Sequence, residues 1–340
     1  MSRDKVTTPT KNTEDEIIEK TLRPQSLKSY QGQEKAKKHL KILIQAAQKR
    51  KEPLDHILLS GPAGLGKTTL SYIIARELNT NIKITSGPAI ERGGDLASIL
   101  TNLQLGDILF IDEAHRLNRN IEEILYPAME DYKLDLTIGK GPSARTIQIE
   151  IPRFTLIAAT TRVGLLSSPL RSRFGVHFRL EFYRPEEIQK IIQQSAKILQ
   201  IKIDEQSAFL LAQASRSTPR VANRLLKRAR DFAQVKDSPI ITPEIIHSLF
   251  KILEIDRWGL ELIDYQIIQT IIKKFDGGPA GIQSIAAVIG EEAETIEDVY
   301  EPYLLQLGLI ARTPRGRIAT KAGYEYLGLT YPEHQQKKLI

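Results

Sequence analysis

Residues 61–70 read GPAGLGKTTL. Upstream, HILLS is a short apolar run with strand character. Downstream, Leu70, Ile73, Ile74 and Leu78 recur at helical spacing. A chain that places its most permissive residues between a strand and a helix start builds an anion cradle. Glycines let backbone N–H groups curl around a phosphate without a Cβ in the way. The helix N-terminus adds unsatisfied donors and the positive end of its dipole. Gly61, Gly66, Lys67 and Thr68 fit G-x-x-x-x-G-K-[ST] without a mismatch. Lys67 is expected to reach the outer phosphates of a nucleotide, and the Thr68 hydroxyl to ligate Mg²⁺. A plain strand-to-helix turn with a chance lysine would not bring the motif and both flanks into agreement.

A second strand points the same way. DILFIDEAH, residues 107–115, sets four apolar residues before two acids. Acids at the end of an apolar strand are costly unless a cation meets them. Asp112 is expected to hold Mg²⁺ through water, and Glu113 to orient and deprotonate an attacking water.

Composition narrows the class. The 340 residues suffice for two or three domains. There are no cysteines, so disulfides and thiolate metal sites are excluded, which fits a cytoplasmic protein. No apolar run approaches a membrane span. Residues 1–20 are too polar for a signal peptide and read as an arm, and 331–340 read as a tail. The net charge of +7 is concentrated in residues 153–255, and the chain beyond them is slightly acidic. A nucleic-acid reading must therefore be argued locally.

Strands and helices alternate from about residue 34 to 180, with candidate strands at 57–60, 82–86, 108–112 and 154–160. That alternation implies an α/β domain with a mostly parallel, covered sheet. Residues 134–151 break the rhythm with apolar alternation on both sides of a glycine pair, a β-hairpin insertion. From 184 to 255 the pattern is purely helical. From 256 to 330 come more helices, the last opened by a Thr295-x-x-Asp298 capping pattern. Two short extended runs around a basic turn then complete a winged-helix arrangement. The expected domains are 1–183, 184–255 and 256–330. The last helix carries Glu297, Asp298 and Glu301, which would repel phosphates. The hairpin after it carries Arg312, Arg315 and Arg317 and no acid, so contact with double-stranded DNA is expected there. Arg312 and Arg317, flanking the turn at 313–316, would straddle the backbone.

With these pieces placed, the chain resembles the RuvB family, the AAA+ motors of bacterial Holliday-junction branch migration. The likeness runs from LRPQSLKSYQGQ to TPRGRIAT through LFIDEAHRL, YPAMEDY, AATTR, SPLRSRFG, STPRVANRLLKR and FDGGPAGIQSIAAVIGEE. It implies an ATPase domain, a small helical lid and a winged helix, with ATP and Mg²⁺ as cofactors. Leu22, Arg23 and Tyr30 would flank the adenine, and Gly64, Gly66, Lys67, Thr68 and Thr69 would hold phosphate. Glu130, Asp131 and Tyr132 would lie near the nucleotide, and Thr161 would sense the γ-phosphate. Arg173 would be an arginine finger reaching a neighbouring subunit, with Arg171 an equal candidate from the residues alone. Tyr183 and Arg220 would close on the nucleotide, Arg220 from a helix N-terminus that Thr218 and Pro219 are suited to start. The likeness further implies a homo-oligomeric ring, a hexamer, around duplex DNA. A RuvA-type junction-binding protein would dock on the 134–151 hairpin and bring the ring to a four-way junction, where a RuvC-type resolvase would join. Other readings of the same motifs are an ATP switch of the clamp-loader or replication-initiator kind, and a small-molecule kinase.

Overall fold

Five strands carry the first unit of the chain: β1 (Ile57–Ser60), β2 (Ile82–Ser86), β3 (Ile108–Asp112), β6 (Thr155–Thr160) and β7 (Val176–Arg179). They form one sheet in the order β2-β3-β6-β1-β7, with every neighbouring pair parallel. The computed structural model describes residues 21–138 and 145–332. Contacts divide the chain into two units, one from Arg23 to Glu181 and one from Phe182 onwards with Leu22.

The three central strands are buried along almost their whole length. Both faces are covered, which is why they read as unbroken apolar runs. In the edge strand β7 only Phe178 is buried, with Val176 half-buried and the polar His177 and Arg179 exposed, so its sequence VHFR gives little strand signal. The helices Glu34–Arg50, Lys67–Leu78, Gly93–Thr101 and Arg119–Glu130 supply the cover. Strands β4 (Lys133–Ile138) and β5 (Arg145–Glu150) pair antiparallel outside this sheet, as the hairpin pattern predicts. The turn at 139–144 lies outside the described residues.

One buried histidine ties the layers beneath the sheet. His56 Nε2 lies 3.0 Å from the Met129 carbonyl, and Nδ1 lies 2.9 Å from the Leu156 amide. The carbonyl only accepts and the amide only donates, so Nε2 carries the single proton. Burial pushes the pKa of this imidazole below its usual 6.5, outweighing the Met129 hydrogen bond and Asp55.

The second unit is helical until its last strands. Helices Pro185–Ile198, Glu205–Gln213, Pro219–Val235 and Pro243–Leu253 pack as a bundle. Helices Leu262–Lys274 and Ile282–Ile289 and a helical run over 293–306 follow, then the antiparallel pair β8 (Ile310–Thr313) and β9 (Gly316–Ala319). The expected capping by Thr295 is corrected. The run begins at Ala293 behind Glu292, and Thr295 sits inside it with helical angles. It contains a wide π-turn, Ile296–Tyr300, just before Pro302, whose missing N–H cannot serve the carbonyl four residues back.

His56 sets a pH test. A folded-state pKa below the unfolded value means the unfolded chain takes up the proton first. The contribution is therefore whole above pH 6.5 and is lost as pH falls from there through the folded value. Imidazole titration followed by NMR should show His56 neutral at pH 6.5. The melting temperature of the wild type should fall more steeply below that pH than that of His56→Asn.

Candidate functional site

The loop between β1 and the helix Lys67–Leu78 is shaped by left-handed glycines. Gly61 has φ 140°, and a Cβ there would stand 2.6 Å from the Leu180 carbonyl. Gly66, at φ 93°, is the residue before the helix, and its missing Cβ leaves room for the Tyr30 hydroxyl. That hydroxyl donates to the Leu65 carbonyl at 3.3 Å, so Tyr30 braces the loop from within the fold. Gly64 also has positive φ. The Lys67 ammonium is buried and donates to the carbonyls of Gly61 and Pro62 at 2.7 and 2.9 Å. Its charge therefore stands at the rim of the cradle. Thr68 and Thr69 occupy the first turn of the helix. Arg23 stacks its guanidinium on the Tyr72 ring at 4.2 Å.

Sheet register brings the acids to the same edge. Asp112 closes β3, and its Oδ2 accepts from the Thr68 hydroxyl at 3.3 Å. A hydroxyl and a carboxylate this close form the hard oxygen donor pair that suits Mg²⁺. Glu113 follows in the left-handed region at φ 50°, and its amide donates to Asp112 Oδ1. Its carboxylate is half exposed, with Arg116 at 3.4 Å. Gly87 lies against this turn, where a Cβ would meet the Glu113 carbonyl at 2.5 Å.

Thr161 lies one residue past the end of β6. The hydroxyl whose contacts join this strand to the acidic loop is that of Thr160, 3.1 Å from His115 Nδ1, which also accepts the Arg162 amide. His115 and Thr160 thus tie the acidic loop to the end of β6. In the sequence, His115 is the last member of the quartet Asp-Glu-Ala-His that begins at the end of β3.

Arg173 gathers a separate group. It stacks on the Tyr126 ring at 4.4 Å and pairs with Glu130 at 3.2 Å. Its Nε is buried without a hydrogen-bond partner. Arg171 is exposed and bonds Ser168. Asp131 caps the same helix as Glu130, and Tyr132 packs edge-on to Phe154. Among the described contacts, none links Glu130, Asp131, Tyr132 or Arg173 to the phosphate loop of their own chain.

Leu22, Tyr183 and Arg220 belong to the other unit. Leu22 and Tyr183 are buried, and the Tyr183 amide donates to the Ser217 carbonyl at 3.0 Å. Arg220 is the second residue of the helix Pro219–Val235, which Thr218 caps.

Profiles of three domains match this chain consecutively. The Holliday junction DNA helicase RuvB P-loop domain covers residues 22–180, the RuvB AAA lid domain 183–256, and the RuvB C-terminal winged-helix domain 257–328. The chain belongs to the RuvB family. Among solved structures it is similar to the Thermotoga maritima RuvB Holliday junction branch migration motor, at 49% identity and a TM-score of 0.84. That match covers 92% of this chain and 100% of the other. A proline-to-glycine variant of the same Thermotoga protein matches at 49% identity and TM-score 0.85, over 91% of this chain and 100% of its own. As a RuvB-family protein the chain is a P-loop ATPase that binds nucleotide.

The wing corrects one expectation. In the β8–β9 ladder Arg312 pairs directly with Arg317, so both side chains leave the same face. That face meets the helical run with Glu297 and Glu301. Arg317 is buried. Its Nε and Nη2 donate to Glu301 at 2.8 and 2.9 Å, and Nη2 donates to Glu297 at 2.8 Å. Arg317 is therefore a structural cation and cannot straddle a phosphate. Two of the acids expected to repel DNA are its partners instead. Arg312 stays 61% exposed with Glu297 at 3.7 Å, and Arg315 stands exposed at the turn.

The two ends of the nucleotide site separate in mutants. Lys67→Ala should abolish nucleotide binding. Glu113→Gln should bind normally and lose about 10²–10⁴ in turnover, because an amide keeps the shape but takes no proton. Fluorescent-nucleotide titration beside steady-state phosphate release checks both.

Proposed function

We propose that this chain forms a homo-hexameric ring around duplex DNA and drives branch migration of four-way junctions by ATP hydrolysis. The observation that carries this reading is the presence in one RuvB-family chain of an assembled hydrolytic site and a basic hairpin on a winged helix. A clamp-loader or initiator switch would share the ATP site, and the family match disfavours it. Strand displacement on a synthetic four-way junction, dependent on ATP, is the deciding experiment. Sparse hydrolysis without displacement would overturn the reading.

In this reading Lys67 balances the charge of the outer phosphates, and the backbone of residues 61–66 wraps them. Thr68 and Asp112 would hold Mg²⁺, which would supply positive charge to offset the negative charge of the phosphates. Glu113 orients the attacking water and takes its proton. Leu22, Arg23 and Tyr30 flank the base, and Tyr183 and Arg220 close over the nucleotide. Arg173 serves the site of the neighbouring subunit, as its grouping with Tyr126 and Glu130 and its unpaired Nε support. A ring follows from such head-to-tail contacts when they close.

A RuvA-type junction-binding protein would dock on the hairpin at 134–151 and a RuvC-type resolvase would join, all in the cytoplasm. Ile147, 47% exposed on that hairpin, supports the docking surface. Leu134 is buried and Ile149 packs on the core, so neither contributes. The side chains of Leu136 and Ile138 fall outside the described residues.

Mixing subunits tests the neighbour contact. Arg173→Ala should bind ATP and lose about 10³–10⁵ in turnover. Mixtures with Lys67→Ala should regain activity at some ratio, because each supplies what the other lacks. Mixtures as inactive as both parents would remove the role in trans.

The wing makes a different forecast. Arg312→Ala and Arg315→Ala should each weaken duplex binding for all sequences and lower the salt slope by about 1. Arg317→Ala should instead lower the melting temperature, since it strands Glu301 in the interior at a cost of about 3 kcal/mol. Salt-dependent binding isotherms and calorimetric melting separate the two.

A further inference from the structure

The helical bundle and the winged helix of the second unit meet at a buried ion pair. Arg216 lies in the short connection between helices Glu205–Gln213 and Pro219–Val235, and Asp264 lies in the first turn of Leu262–Lys274. Their side chains are 3% and 0% exposed. The contact is two-pronged, Nη1 to Oδ2 at 2.7 Å and Nη2 to Oδ1 at 3.2 Å. Nη2 also donates to the Val299 carbonyl at 3.3 Å, and the Tyr303 ring faces the cation at 4.9 Å. The Tyr303 hydroxyl in turn donates to the Trp258 carbonyl. Asp264 accepts the Glu261 amide as well, so the helix start holds it in place. Beside the pair the two backbones touch, since a Cβ on Gly259 would collide with the Ala214 carbonyl.

Nothing in the nucleotide chemistry or the wing uses Arg216, yet the chain accepts strain to place it. Arg216 and Ser217 are consecutive non-glycine residues in the left-handed region, at φ 51° and 55°. Such a conformation persists only where the surroundings over-determine it. The same connection holds the residues that close on nucleotide. The Ser217 carbonyl takes the Tyr183 amide, and Thr218 caps the helix that carries Arg220. One end of the connection therefore addresses nucleotide and the other addresses the DNA-facing domain. An apolar contact could slide, whereas a two-pronged pair fixes direction as well as distance.

We propose that Arg216 is a positioning residue that locks lid and winged helix into one rigid lever, delivering displacements of Tyr183 and Arg220 to the DNA-contacting hairpin. This rests on the motor reading above. Loss of the pair should leave ATP hydrolysis near its parental rate and lower junction unwinding per ATP consumed.

The chain has no cysteines, so paired spin labels can be placed without background. Val235→Cys, 81% exposed at the end of the lid helix, and Lys321→Cys beside the wing give the two sites. The full chain is measured by pulsed electron resonance with ADP and with a non-hydrolysable ATP analogue, each with and without four-way junction DNA. The expected result is one narrow distance in all four states. Arg216→Met and Asp264→Asn should broaden it and cut unwinding per ATP by about tenfold. A parental distance that shifts with nucleotide would overturn the proposal, whether or not either variant folds. So would variants that unwind at the parental ratio. Junction unwinding by the unlabelled parent tests the motor reading separately, because its failure would leave the distance result standing.

Discussion

The parallel register of β1, β3 and β6 sets where the glycine loop, Asp112 and Glu113 stand relative to one another. Ser60 pairs with Thr160, and Ile111 with Ala158, so the carboxyl ends of the three strands finish within one residue of each other. The Gly61 amide crosses to the Thr160 carbonyl there, which fixes the start of the phosphate loop. A slip of one residue in β3 would turn Asp112 into a sheet face and break its contact with Thr68. The apolar cover on both faces holds this register, so the helices that never touch the site still determine its geometry.

The central strands and the glycine loop were legible because their physical demands are local. A doubly covered strand must be apolar throughout, and a phosphate cradle must have glycine where φ is positive. Charge pairing between distant segments leaves no such mark. Arg317 and Glu301 are 16 residues apart, and the linear pattern shows only a basic hairpin beside an acidic helix. Both were assigned to DNA, as ligand and as repellent, when they neutralise each other. The edge strand β7 was invisible for the opposite reason, having too little buried surface to shape its composition. At the strand end, AATT offers two threonines, and only the fold distinguishes Thr160, turned to His115, from Thr161.

Buried charge occurs in both units. In the first, the Lys67 ammonium donates to the carbonyls of Gly61 and Pro62 in its own loop. In the second, Arg216 and Arg317 rest on carboxylates; burial pulls the Arg216 pKa down, and Asp264, Glu261 and Tyr303 together raise it above its usual value.

The wide turn at Ile296–Tyr300 has a geometrical meaning for the wing. A π-turn holds one residue more than the α-helical turn it replaces, so it acts as a built-in phase shift. Each residue of α-helix advances the side-chain direction by about 100°. Winding the same residues into an unbroken α-helix would rotate everything before the turn by about that angle relative to everything after it. Glu297 lies within the turn and Glu301 directly follows it, yet both reach the same guanidinium. The irregularity thus works as a fixed angular offset, and the hairpin's orientation on the helix is written in the length of the chain as much as in its charges.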